Sequence, residues 1–215
     1  MKTLQQAAEA LFPRSRVREF GPYWPGVESY ADLTTPQRKA MFLAQIGHEC
    51  GGFMRFEENL NYSPAGLLKT FGPHRITAQQ ASEFGRTPQH RANQREIANC
   101  VYGGAWGAKN LGNTHPGDGW LFRGRGPKQI TGRYNYTKAN QTIGQRFGVD
   151  LIADPDLLQT PKIGIYAAAD FWQSHGLSDL TDSRQYDRVT KTVNGGLNGH
   201  AERMALYAAA LKLLA

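Results

Sequence analysis

The sequence predicts a mainly α fold: one domain over residues 1–215, organised around a central buried helix, with at most short β segments. Three observations predict it. Apolar residues recur three and four positions apart along most of the chain, which is the helical period. Glycine, proline and hydroxyl residues break these stretches at helix-sized intervals. The stretch from Thr160 to His175 is apolar nearly all round, as expected of a helix enclosed by protein. With 215 residues, 40% of them hydrophobic and 20% charged, the chain suits one domain with a real core and not a disordered one.

The elements follow in order. Leu4, Ala7, Ala8 and Leu11 share a face of a short amphipathic helix. Gln5, Gln6 and Glu9 make that segment too polar for a signal sequence, so synthesis in a cytoplasm is expected. Thr35-Pro36 is an N-cap with proline at the first helical position, and its helix runs to about Glu49, where Gly51-Gly52 ends it. Ser63-Pro64 opens a helix to Phe71, stopped by Gly72-Pro73. Thr77 and Gln80 form a capping box before residues 81–84. Residues 89–102 read as helix, with Ile97, Cys100 and Val101 together.

Residues 103–126 carry many glycines, Trp106, Trp120 and Asp118, and read as a long ordered loop of the functional kind. A helix is expected from about 132 to 147, and the central helix opens at Thr160-Pro161. Asp182 is the expected cap of the next helix, which ends at Asn194-Gly195-Gly196. A last helix carries Met204, Ala205, Ala208, Leu211 and Leu214. Short strands are expected near Gln129-Ile130-Thr131 and around 53–62. No segment holds the roughly 18 uninterrupted apolar residues that a bilayer span needs, so no stable membrane insertion is expected.

The chemistry concentrates in two segments. The first is Gly47-His48-Glu49-Cys50-Gly51-Gly52-Phe53, followed by Glu57 and Glu58. Glu49 shares a helix face with Phe42 and Ile46, so desolvation is expected to favour its protonated form, as a general acid requires. The bland alternative is a surface ion pair with Arg38 or Arg55. Nine residues on, Glu58 or its neighbour Glu57 would act as base on a water. Asn59, Asn61 and Tyr62 follow, all side chains suited to sugars.

The second segment is Phe122-Arg123-Gly124-Arg125-Gly126-Pro127-Lys128-Gln129-Ile130-Thr131. In an extended strand Gln129 and Thr131 point the same way, Thr131 toward an attacking water and Gln129 toward a sugar amide or hydroxyl. Tyr134, Asn135 and Tyr136 add aromatic faces and an amide, with one of the two tyrosines expected in the core. GxGxxG and a Walker lysine-serine pair are both absent, so no nucleotide is expected. The six histidines and two cysteines show no ligand spacing, so no metal, no cofactor and no disulfide framework are expected. His48 lies about 100° around the helix from Glu49 and is not expected to work with it.

The formal charge of +7, from 25 Lys+Arg against 18 Asp+Glu, favours an acidic partner such as an anionic cell-wall polymer. A binding protein stacking glycans or nucleic acid on Trp106, Trp120 and Tyr134 is a separate reading.

Taken together, His48-Glu49-x-Gly51-Gly52-Phe53, the Phe122–Thr131 segment with Tyr134-Asn135-Tyr136, and Val193-Asn194-Gly195-Gly196-Leu197 with Arg203 and Tyr207 resemble glycoside hydrolase family 19, the chitinase-like group. The closer likeness is to single-domain phage endolysins. The motifs lie in family order over about residues 36–210. The resemblance implies a lysozyme-like fold of two lobes and single-step inversion. It implies Glu49 as acid, Glu58 as base and Thr131 at the water, with Gln129, Tyr134, Asn135, Asn194 and Arg203 lining the site or supporting its carboxylates. Trp120 and Tyr62 join them as expected sugar contacts. Lys128 and Arg133 depart from the common plant residues. The function expected is cleavage of peptidoglycan between N-acetylmuramic acid and N-acetylglucosamine by a monomer. Nucleic acid has no part in it, and a separate pore-forming protein would give access to the periplasm. Chitin is the alternative substrate.

Overall fold

The computed structural model describes residues 1–215 and is mainly α, with no extended strand. The chain forms two compact units. The first comprises Met1–Phe56, Gly126–Gln129 and Asp156–Ala215; the second comprises Glu57–Arg125 and Ile130–Pro155.

The first unit begins with α1 (Leu4–Leu11), where Thr3 and Gln6 close a capping box. A 3-10 turn (Arg16–Tyr23) and α2 (Trp24–Tyr30) follow. Neither is legible in a segment dense in proline and glycine. Helix α3 (Pro36–Glu49) starts as expected, with the Thr35 hydroxyl accepting from the Arg38 amide.

The second unit starts with α4 (Pro64–Phe71) and α5 (Ala78–Phe84), both capped as read from the sequence. Helix α6 (Gln94–Val101) begins five residues later than expected, with Asn93 as its cap. Upstream, the Thr87 hydroxyl accepts from the amides of Gln89 and His90, and that turn around Pro88 replaces helix. The expected loop 103–126 holds two short helices, α7 (Gly104–Leu111) and α8 (Asp118–Leu121), which its glycine content hid. Helix α9 (Arg133–Ala139) passes through a π-helical turn (Asn140–Gly144) into α10 (Gln145–Phe147). Asn140 Oδ1 caps the Leu151 amide at that turn. The expected strands shrink to isolated bridges between Glu57 and Arg125 and between Arg125 and Ile130.

The first unit then resumes. Helix α11 (Pro161–Ser174) is the expected central helix: Ile163, Ile165, Tyr166, Ala167, Ala168, Ala169 and Trp172 are all buried. Helix α12 (Leu177–Asp182) ends on the residue expected to cap its successor. Asp182 pairs instead with Arg38, which also binds Asp32. Helices α13 (Tyr186–Asn194) and α14 (His200–Leu214) complete the unit. On α14 the buried positions are Arg203, Ala210 and Leu214, whereas Ala205 and Ala208 face solvent. A charged residue takes the inner stripe there, and apolar spacing alone could not find it.

No helix is long and apolar enough to cross a membrane. Both cysteines are free thiols. Burial pushes the Cys50 thiol up to about 12, so the sulfur beside Glu49 is inert at neutral pH.

Candidate active site

Glu49 is the last residue of α3, and the negative end of the helix is a poor place for a carboxylate. The chain turns away at once through Gly51, Gly52 and Phe53, all at positive φ (59°, 72° and 60°). The glycines take that conformation without penalty; Phe53 does not. Its ring is fully buried among Phe12, Phe20 and Trp24, and this packing offsets the strain.

The partner of Glu49 is Arg203, whose guanidinium donates to its carboxylate. Arg38 pairs elsewhere, and the Arg55 guanidinium lies against Gly51. The apolar surrounding read from Phe42 and Ile46 is thus replaced by a guanidinium that is itself only 2% exposed. Arg203 also donates to Gln45 Oε1 at 2.8 Å, and Gln45 is fully buried. Burial, then the charge of Arg203, holds the His48 imidazole below its ordinary value, so His48 is neutral at neutral pH. It packs against Gly199, where a Cβ would lie 2.3 Å from its Nε2.

In the same unit, Gly126 turns at φ 73° and passes so close to Leu158 that a Cβ would sit 2.7 Å from that carbonyl oxygen. Gln129 also has positive φ, 56°, and its amide folds back to donate to the Gly126 carbonyl at 2.9 Å. The segment is therefore a turn and not a strand, and the expected common direction of Gln129 and Thr131 fails. Lys128 donates to the Val193 carbonyl at 2.9 Å, placing a cation at the C-terminal end of α13 beside Asn194. Asn194 itself reaches the Asn198 carbonyl at 3.4 Å. Burial holds the Lys128 ammonium below its ordinary value, while the charge of Glu49 pulls it the other way.

The second unit holds Glu57 and Glu58, and their partners differ in kind. Glu58 accepts from the Gly124 amide at 2.7 Å and from the Tyr102 hydroxyl at 2.6 Å, both neutral donors. Glu57 is ion-paired with Arg123, whose guanidinium stacks 3.7 Å from the centre of the Trp120 ring. Burial, then the charge of Glu58, pushes the Tyr102 phenol well up, so it remains a hydrogen-bond donor. The Arg75 guanidinium packs on the Tyr102 and Trp106 rings behind it.

The Gly124 amide is held in place by buried groups. Tyr136 donates to the Arg123 carbonyl at 2.8 Å, and Arg125 donates to Leu121 at 2.7 Å and to Tyr136 at 3.0 Å. Tyr136 is thus the core tyrosine and Tyr134 the exposed one, at 56%. Glu57, Glu58, Asn59, Asn61, Gln94 and Trp120 line a pocket of about 380 Å³. Tyr62 packs its ring edge-on against Phe71, as part of a small core. Thr131 is half-buried, with its carbonyl taken by Asn135. Arg133, a departure noted in the sequence, pairs with buried Asp118 through two bonds of 2.8 and 2.6 Å. No three His, Cys, Asp or Glu side chains converge as a metal site.

Sequence reading missed Gln45 and Tyr102. Each holds a candidate carboxylate or its partner from a segment distant in sequence, and neither shows a local pattern. The one available signal was a polar residue on a buried stripe, which Gln45 provides on α3.

A family model described as chitinase class I matches residues 112–185. A Haemophilus influenzae protein described as a glycosyl hydrolase family 19 domain-containing protein is 39% identical over 181 residues, covering 83% of this chain and 81% of that one. The acidic 27 kDa endochitinase of Solanum lycopersicum is 31% identical over 170 residues, covering 62% and 66%. The solved structure of a bacterial family 19 chitinase superposes with a TM-score of 0.58, at 19% identity, over 98% of this chain and 93% of that one. That last likeness concerns the fold.

Proposed function

The chain belongs to glycosyl hydrolase family 19, and from that premise we propose that it cleaves the β-1,4 bonds of peptidoglycan between N-acetylmuramic acid and N-acetylglucosamine. The protein is a glycoside hydrolase; the wall polymer, the bond and a role in host-cell lysis are the proposal. The observation that carries the mechanism is that Glu49 and Glu58 each have a fixed, mostly buried set of donors.

Glu49 delivers a proton to the leaving oxygen. As the proton departs, negative charge develops on Glu49, and Arg203 is already in place to stabilise it. Glu58 activates water on the opposite face of the sugar, and Thr131 orients that water. Single-step inversion needs roughly 6.5–9.5 Å between the two carboxyl groups to admit the water. Glu58 is preferred to Glu57 because Glu57 is ion-paired with Arg123, whereas Glu58 accepts from two neutral donors, with the Arg75 guanidinium set behind Tyr102. Gln129, Tyr134, Asn135, Asn194 and Trp120 are the proposed glycan contacts, with Tyr62 moved to a supporting role by its packing.

The charge of +7 supports an anionic wall over neutral chitin. The names of the tomato relative and of the matching family model make N-acetylglucosamine polymer the second reading. Digestion of purified peptidoglycan and of chitin oligomers, followed by mass spectrometry, separates the two. Muropeptides with N-acetylmuramic acid at the reducing end are expected; release from chitin alone overturns the wall assignment.

Tyr102→Phe tests the base. Loss of one hydrogen bond to a charged carboxylate, about 2 kcal/mol, is expected to lower kcat about 30-fold with KM unchanged in steady-state assays. An effect confined to KM would place Tyr102 at the glycan and not at the base.

A further inference from the structure

Beyond Arg203 and Gln45, an unbroken line of hydrogen bonds continues within the first unit. Gln45 Nε2 lies 3.1 Å from Thr190 Oγ1, and Thr190 Oγ1 lies 3.0 Å from His200 Nδ1. His200 Nε2 lies 3.1 Å from Asp187 Oδ1. Gln45 and Thr190 are fully buried. His200 is partly exposed and the Asp187 side chain largely so, at 65%. Three helices contribute: α3 gives Gln45 and Glu49, α13 gives Asp187 and Thr190 one turn apart, and α14 gives His200 and Arg203 one turn apart.

Donor and acceptor chemistry fixes the direction of the inner part of the line. Arg203 can only donate, so the oxygen of Gln45 faces it and the amide nitrogen faces Thr190. Thr190 Oγ1 accepts that bond, and its hydroxyl is hydrogen-bonded to His200 Nδ1 in a direction set by the imidazole tautomer. His200 Nε2 in turn faces the Asp187 carboxylate, an acceptor, and donates to it. The line runs from Arg203 out to an acidic side chain at the surface, and the hydrogen bonds of such a chain polarise one another.

We propose that Thr190, His200 and Asp187 are positioning residues for the reaction, acting through Gln45 to fix the guanidinium of Arg203 against Glu49. The proposal rests on Glu49 as the acid. A Gln45 amide free to turn over would present its NH2 group to Arg203, donor against donor, and drive the guanidinium away from the carboxylate. The Thr190–His200–Asp187 arm forbids that flip.

The test uses the full chain and steady-state kinetics on purified peptidoglycan. Thr190→Val removes the hydroxyl at nearly constant volume, and His200→Leu breaks the line at its partly exposed end. Each is expected to lower kcat roughly 3- to 10-fold, the equivalent of one hydrogen bond, with KM unchanged. Thr190→Ser, which keeps the hydroxyl in place, is expected to restore turnover. Combining Thr190→Val with His200→Leu is expected to cost no more than either alone. A purely structural role lowers the melting temperature but leaves the kcat of the folded protein unchanged; that result overturns the proposal. Wild-type turnover in both variants beside an inactive Glu49→Gln overturns the positioning line alone. Turnover retained in Glu49→Gln overturns the acid assignment, and the line with it.

Discussion

Glu49→Gln is expected to lower turnover of peptidoglycan by roughly 10²–10⁴-fold, the range of a single general acid. The amide keeps the shape of the side chain and an oxygen for Arg203 but has no proton to deliver. The substitution also leaves the buried Arg203 without its counter-charge. Three neutral acceptors remain to it, the side-chain and backbone oxygens of Gln45 at 2.8 and 3.4 Å and the Asn198 carbonyl at 3.4 Å, so a moderate loss of stability accompanies the loss of activity. The two effects separate when rates are measured well below the variant's melting temperature and normalised to folded protein by circular dichroism. Turbidity loss of permeabilised Gram-negative cells is the direct assay. Lysis at the wild-type rate would remove Glu49 from the chemistry.

The second large effect is on stability. Asp118→Asn is expected to destabilise the second unit by about 3 kcal/mol, at the low end for breaking a buried ion pair. Asp118 is 2% exposed, accepts from the His115 amide at 3.0 Å and pairs with Arg133, whose side chain keeps some contact with water. That contact lets Arg133 rehydrate in the variant and keeps the loss from being larger.

Burial pushes the Asp118 carboxyl up, but the bonds from Arg133 and His115 outweigh it and hold it below the usual carboxylate range. A folded-state value below the unfolded one, about 3.9, means that the contribution is complete above that pH. It fades as pH falls through the folded value. The gap between wild type and variant is therefore widest at neutral pH and shrinks toward pH 3. Urea unfolding followed by the fluorescence of Trp106 and Trp120, in the same unit, measures both points. An equal gap at both pH values would sink the charge-based account.

Particular elements show where sequence and structure part. Helices α3, α4, α5 and α11 are legible because hydroxyl caps on the first three, proline at the first turn and glycine stops act over a few residues. Helices α7 and α12 were not, because six to eight residues rich in glycine or polar side chains hold too little periodicity. Residues 129–131 read as strand, but the Gln129 amide and side chain both fold back onto the Gly126 carbonyl, and Gly126 itself packs on Leu158, far away in sequence.

By itself, the sequence determined the helical class and the family, and it singled out Glu49 and the Glu57-Glu58 pair as candidate carboxylates, since motifs and caps are local. Only the tertiary structure decided what surrounds each carboxylate. Arg203 lies 154 residues from Glu49, and Tyr102 lies 44 from Glu58. The chemistry of a buried acid is set by the nearest charge and donors in space, and chain order does not record those neighbours.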